Sequence, residues 1–298
     1  MLSQPLKDAL LACSLAVLVR MDELLPKDFK DSKLMEAMRY SSLSDGKRIR
    51  PFLVMASGHM FGVDIQHLLN AAVAIELVHT YSLIHDDLPA MDNDDFRRGN
   101  PTCHKKFNEA TAILAGDALL TLAFEILSNE ETHSDAVVRC ELIKILSKAA
   151  GYKGMVGGQM IDLEKADKKI NKEELAALHR LKTGELFMAS AEFGAVIGRT
   201  GLNERKALRY YANDLGLAFQ VKDDILDYLD NKSEKIEIDE TRHKKAKDNA
   251  SVVDVIGIKN AQEQLKLLSA QASSHLKIFG EKASLLKDLT EFLVSREK

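Results

Sequence analysis

Tryptophan is absent from the 298 residues, proline occurs only five times and cysteine three times. Each shortage removes a class of protein. Cys13, Cys103 and Cys140 lie far apart with no C-x-x-C pair, so a disulfide framework and a cysteine zinc site are not expected. That usage suits a reducing, cytoplasmic setting. Runs of alternating β-branched residues are nearly lacking, which removes a sheet protein. No Pro/Ser-rich linker and no repeat at solenoid period divides the chain, so one domain over residues 1–298 is expected. A positive excess is missing too: 41 Lys+Arg face 45 Asp+Glu, for a net charge of −4. Nucleic acid is therefore excluded as the main partner, whereas a small anionic substrate needs only a local basic pocket.

The run Ala9 to Val19 has the length of a signal h-region, but Lys7 is cancelled by Asp8 and no second positive charge precedes it. It reads as a buried N-terminal helix. No other stretch is expected to reach the ~18 apolar residues of a membrane span.

What is present is helical. Hydrophobic residues make up 46% and charged residues 29%, enough for a sizeable core. Apolar residues recur at helical spacing in "LIKILSKAAGYKGMVGGQMI" and "ALRYYANDLGLAFQVKDDIL". About ten helices and no strand are expected. The charged stretch Asn231 to Asn249 reads as a surface loop.

Chemistry concentrates in two aspartate clusters. "NAAVAIELVHTYSLIHDD" is apolar almost all round, a helix for the core, yet it ends in Asp86 and Asp87 and runs through "LPAM" to Asp92. Buried carboxylates need partners. Pro89 must end or distort the helix, and a bend there would let Asp86 and Asp92 converge on one ion. Magnesium, which takes oxygen ligands and is shared between a few carboxylates and phosphates, fits that pattern. Asp94 and Asp95 read instead as a solvated loop, and His85–Asp86 lacks the second pair that an HD-type metal site needs. In "FQVKDDILD", Gln220, Asp223, Asp224 and Asp227 stand at i, i+3, i+4 and i+7, one face of a regular helix. Two such clusters facing each other could clamp magnesium ions and a diphosphate.

Cations accompany them. Lys47, Arg48 and Arg50 in "DGKRIRP" form an anion site or, alternatively, a solvated turn; Arg97 and Arg98 carry guanidinium forks suited to phosphate. His79 lies two turns before Asp86 on the same face. Gln159 and Asp162 occupy adjacent helix turns, and Lys182 and Thr183 sit inside an apolar helix where a lysine needs a counter-charge. No Ser/His/Asp arrangement, Gly-rich phosphate loop or dinucleotide fingerprint occurs.

In order, "GKRIRP", "IELVHTYSLIHDDLPAMDNDDFRRGNPTCHKKF", "AILAGDALL", "GGQMIDL", "LKTGELF" and "LGLAFQVKDDILD" resemble the short-chain trans-prenyl diphosphate synthases over nearly the whole chain. The resemblance implies an all-α, isoprenoid synthase-type bundle around a deep central cavity, acting as a homodimer. It implies that Asp86, Asp92, Asp223 and Asp227 bind magnesium, three ions in all, around an allylic diphosphate, with Asp87 and Asp224 supporting. Arg97, Lys182, Thr183 and Gln220 would add contacts to that substrate, and Lys47, Arg50, His79 and Arg98 would hold isopentenyl diphosphate. Tyr81, with Ser82 beside it, looks like the aromatic that floors the product pocket in C15-forming members; C10 and C20 products are the alternatives.

One stretch departs from the family pattern. A lysine followed by Thr-Tyr-Pro usually succeeds the second cluster; here Asn249 stands for the lysine and Val252 and Val253 for Tyr-Pro, with Lys245 and Lys247 nearby. A catalytically weak partner subunit is the alternative reading; this departure is its only support, and both intact aspartate clusters argue against it. A terpene cyclase would need an N-D-x-x-S-x-x-x-E type motif, which is lacking.

Overall fold

Side-chain caps mark where five of the helices start. In the computed structural model, which describes residues 3–27, 32–165, 170–234 and 251–296, α1 spans Gln4–Leu24 and α2 Lys33–Ser42, opened by Ser32. Helices α3 (Ile49–Met60) and α4 (Ile65–Asp86) follow; the Asp64 carboxylate accepts from the Gln66 N–H at 2.9 Å to begin α4. A two-residue hairpin comes next, β1 (Phe96–Arg97) antiparallel to β2 (Asn100–Pro101), then α5 (Cys103–Lys106), α6 (Glu109–Ser128, capped by Asn108) and α7 (Ala136–Ala150). After them stand α8 (Met155–Lys165), α9 (Lys172–His179, with an Asn171/Glu174 capping box), a π-helical turn over Arg180–Gly184, and α10 (Glu185–Ile197). The last part holds α11 (Leu202–Glu234), α12 (Val252–Ile256), α13 (Ile258–His275), a 3-10 stretch over Leu276–Ala283, and α14 (Ser284–Ser295).

The all-α expectation is borne out. The hairpin lay below what periodicity can see: its turn residues Arg98 and Gly99 both take positive φ (52° and 80°), a tight turn that only local chemistry encodes.

The chain forms two compact units, one from residues 4–146 and 190–201, the other from 1–3, 147–189 and 202–298. In the first, α4 is the centre, flanked by α3 and α6. Its Ile75, Leu77 and Val78 are fully buried, each contributing about 1.5–3 kcal/mol relative to exposure. Glycines allow the closest approaches. A Cβ at Gly116 of α6 would lie 2.1 Å from the His85 ring on α4, and one at Gly194 of α10 would lie 2.2 Å from the Ser57 hydroxyl on α3. In the second unit, α11 packs on α13 and α14, and Tyr211 is fully buried with its hydroxyl donating to the Leu286 carbonyl at 2.9 Å.

Two expectations need correction. Helix α1 is only half buried: Leu6, Cys13, Val17 and Met21 face inward, while Leu11, Leu15 and Val19 form an exposed stripe at i, i+4 and i+8. Moreover, α4 and α6 are both long and apolar enough to cross a membrane. For α4 the burial explains the composition, since it is a core helix.

Candidate active site

The first cluster is made by the end of α4. Pro89 has no N–H to continue the helix, and the chain folds back on itself. The Asp92 N–H donates to the Asp86 carbonyl at 2.8 Å and the Asp94 N–H to the Asp87 carbonyl at 3.2 Å. Asp86 and Asp92 thus become backbone neighbours. Asp87 has a different task. It is 3% exposed, and both its oxygens accept from the Arg97 Nε at 2.9 Å, with Nη2 at 2.5 Å from Oδ1. The hairpin presents Arg97 for this fork. Asp94 adds a longer ion pair to Arg97 at 3.8 Å, and Asp95 pairs with Lys105 at 2.8 Å. The His85 ring meets the Ile113 carbonyl of α6 at 3.0 Å, so it serves packing, not an HD-type metal pair.

The basic complement divides as well. Arg48, read from sequence as part of an anion site, is buried and left-handed (φ 46°). Its guanidinium pairs with Glu76 at 2.7 Å and donates to the Ser42 and Ser44 carbonyls at 2.9 and 2.5 Å. Arg48 is therefore a buried fastener for the loop, and Lys47 (exposed) and Arg50 (partly buried) are the cations presented around it. Arg98 donates to the Asp45 carbonyl, joining the hairpin to the same loop. Desolvation, then the charges of Arg50, Arg98, Arg97 and Arg48, push the pKa of His79 well below 6.5. Burial first, and the gathered cations after it, thus favour the uncharged ring of His79. Tyr81 is buried and meets the His85 ring edge-on at 5.7 Å; burial, then Asp86, raises its hydroxyl to about 12. The Ser82 hydroxyl donates to the His79 carbonyl at 2.8 Å.

The second cluster lies on α11 in the other unit. Asp224 is 7% exposed and accepts from the Val252 N–H at 2.7 Å and the Gln220 amide at 3.0 Å. Burial raises its pKa to about 6; the two hydrogen bonds oppose that shift, while Asp223 and Asp227 add to it. Asp224 thereby ties α11 to the start of α12. Asp223 is partly exposed and Asp227 exposed; Asp223 forms an ion pair with Arg296. Lys182 finds the counter-charge it needed in Asp162, Nζ to Oδ2 2.5 Å, and Thr183 donates to the Gln220 Oε1 at 3.4 Å. Both residues lie in the π-helical turn, a local widening that often marks functional sites. Gly158 permits it, since a Cβ there would lie 2.4 Å from the Lys182 nitrogen. Gln159 keeps its amide buried with no protein partner among the described residues.

Asn249, Lys245 and Lys247 lie outside the described residues. Val252 and Val253 pack into an apolar cluster with Leu175, Leu178, Val221 and Ile225. A cavity of about 40 Å³ beside them is lined by Val252, Leu217, Val221 and His179.

Among the described residues, no three His, Cys, Asp or Glu side chains converge as an all-protein metal cage. Magnesium does not require one: one or two carboxylates plus substrate phosphate oxygens suffice. Each cluster fits that habit, with its middle aspartate buried and committed and its outer pair, Asp86/Asp92 or Asp223/Asp227, reaching solvent.

Sequence reading missed two groups. Glu76 gave a signal, a lone carboxylate in an apolar helix that demanded a cation. Arg296 gave none, because "VSREK" looks like a solvated tail.

The polyprenyl synthetase family profile matches residues 31–283. Farnesyl diphosphate synthase from Escherichia coli (strain K12) is 43% identical over 279 residues, 92% of each chain, and that from Geobacillus stearothermophilus is 42% identical over 271 residues, 89% of each. The crystal structure of an FPP/GFPP synthase from Zymomonas mobilis superposes with a TM-score of 0.87 at 40% identity, covering 98% of this chain and 99% of that one. With both aspartate clusters, the basic loop and the helical fold in place, the chain belongs to the polyprenyl synthetase family.

Proposed function

We propose that this chain is a magnesium-dependent prenyltransferase that condenses isopentenyl diphosphate with dimethylallyl or geranyl diphosphate, forming farnesyl diphosphate (C15) and releasing diphosphate. The observation that carries it is the shared division of labour in the two clusters. Asp87 and Asp224 are buried anchors, whereas Asp86, Asp92, Asp223 and Asp227 reach solvent and are the ligands for three magnesium ions around the allylic diphosphate. Magnesium, when bound, supplies the positive charge that makes diphosphate a leaving group.

The chain's own residues do the rest. Lys182, Thr183, Gln220 and Arg97 hold the allylic diphosphate; Lys47, Arg50, Arg98 and the neutral His79 hold isopentenyl diphosphate. As the allylic C–O bond breaks, fixed cations stabilise the departing anion. The isopentenyl double bond forms the new C–C bond, and a proton then leaves to the released diphosphate. Tyr81 and Ser82 limit the product to C15. The two units act as one catalytic domain, which the family match across both supports. A cytoplasmic location is part of the same reading, supported by three free cysteines.

The test supplies magnesium, isopentenyl diphosphate and either allylic substrate, and measures product mass. Farnesyl diphosphate is expected. No condensation sinks the reading, whereas a C20 product sinks only the role of Tyr81 and Ser82.

The homodimer is part of the proposal, and α6 is its contact. This helix is strongly apolar yet less than half buried, with Leu114 57% and Ile113 43% exposed. Such a face needs cover. Leu114→Glu is expected to turn a dimer into a monomer by light scattering; an unchanged dimer removes α6 as the contact, and a monomeric wild type removes the dimer.

A further inference from the structure

Helix α14 ends in a residue that reaches back to the second cluster. Arg296, its C-cap, donates its backbone N–H to the Phe292 carbonyl at 3.0 Å. Its side chain is 5% exposed, pairs with Asp223 Oδ1, and lies over the Phe219 ring, 4.3 Å from guanidinium carbon to centroid. Phe219 and Asp223 are one turn apart on α11, so the guanidinium runs along the face that carries the cluster. Its Nη2 also lies 3.4 Å from the Phe219 carbonyl. The helix behind it is firmly seated: Leu286, Leu289 and Leu293 are buried, and the Tyr211 hydroxyl bonds the Leu286 carbonyl. Arg296 is thus delivered by a rigid helix end, with less rotamer entropy to lose than a free tail.

We propose that Arg296 is a positioning residue for Asp223, a resident cation that holds this carboxylate in place and must yield it when magnesium binds. The inference rests on the proposed role of Asp223 as a magnesium ligand. Asp223, Asp224 and Asp227 crowd three carboxylates into about one turn, and each disfavours its neighbours' charge. A buried guanidinium on Asp223 offsets that repulsion and fixes where the carboxylate sits. The same charge-assisted bond occupies an oxygen that the metal needs, so it lowers metal affinity. Metal loading therefore becomes dependent on the diphosphate that arrives with it, whose charge favours the exchange.

The experiment titrates Mn2+ by electron paramagnetic resonance, with inorganic pyrophosphate as the anion, into wild type, Arg296→Gln, Arg296→Lys and a chain ending at Ser295. Arg296→Gln and the truncated chain are expected to bind Mn2+ about tenfold more tightly, with Arg296→Lys close to wild type. A variant that merely loosened the fold would bind more weakly, so unchanged or weaker binding by Arg296→Gln overturns the proposal. Asp223→Asn is the control for the underlying site. If it binds Mn2+ like wild type, the ligand role of Asp223 fails and the proposal falls with it. If only the Arg296 variants are unchanged, the ligand role stands.

Discussion

Asp223→Asn is expected to lower kcat/KM about a thousandfold, and Asp224→Asn far less, on the order of tenfold. Removing one preorganised charge aimed at a leaving group costs about 10²–10³ in rate, and Asp223 is a proposed metal ligand. Asp224 differs, because its oxygens already accept from the Val252 N–H and the Gln220 amide. An asparagine oxygen still accepts one of those bonds, and burial already favours the uncharged form. Asp224→Asn therefore shows chiefly as a less well-tied α12. Steady-state kinetics of the two variants check this. Equal losses would remove the distinction between ligand and anchor, and a larger loss at Asp224 would invert it.

Glu76→Leu is expected to destabilise the protein by about 3–5 kcal/mol, because it strands Arg48 as a buried, unpaired charge. At this size each kcal/mol moves the melting temperature by roughly 2–4 °C, giving a drop of about 6–20 °C. The pair is 2.7 Å apart with both side chains under 5% exposed. Adding Arg48→Met to Glu76→Leu should restore much of the loss, since two apolar groups replace two matched charges. The double variant should nevertheless show a raised KM for isopentenyl diphosphate, because Arg48 also holds the Ser42 and Ser44 carbonyls that shape the loop carrying Lys47 and Arg50. Thermal melts and kinetics together test it. A double variant with wild-type KM would confine Arg48 to stability.

The helices and the two aspartate clusters were legible because period and spacing are local properties. Asp223, Asp224 and Asp227 share a face by helix geometry alone, and Pro89 announces the break that brings the Asp92 N–H onto the Asp86 carbonyl. What sequence could not apportion was which charge meets which. Arg48 and Arg50 look alike in "KRIRP", yet a left-handed backbone turns Arg48 toward Glu76, 28 positions on. Arg97 reads as a phosphate ligand, yet its fork closes on Asp87. Arg296 reads as solvated, yet it meets Asp223, 73 positions away. Long-range pairing is a property of the packed fold, and no local pattern carries it.

The interleaving of the two units has a consequence for synthesis. Residues 190–201 belong to the first unit although residues 147–189 of the second precede them. They bring the fully buried Phe193, and Gly194, whose close approach to Ser57 fits it against α3. On the ribosome, where domains tend to fold as units from the N-terminus, the first unit stays without that piece until part of the second has already emerged. Its apolar surface around Ser57 and Val54 is then exposed during elongation. A chain stalled at residue 146 is accordingly a ready target for chaperones, and cutting the gene there yields no self-sufficient half.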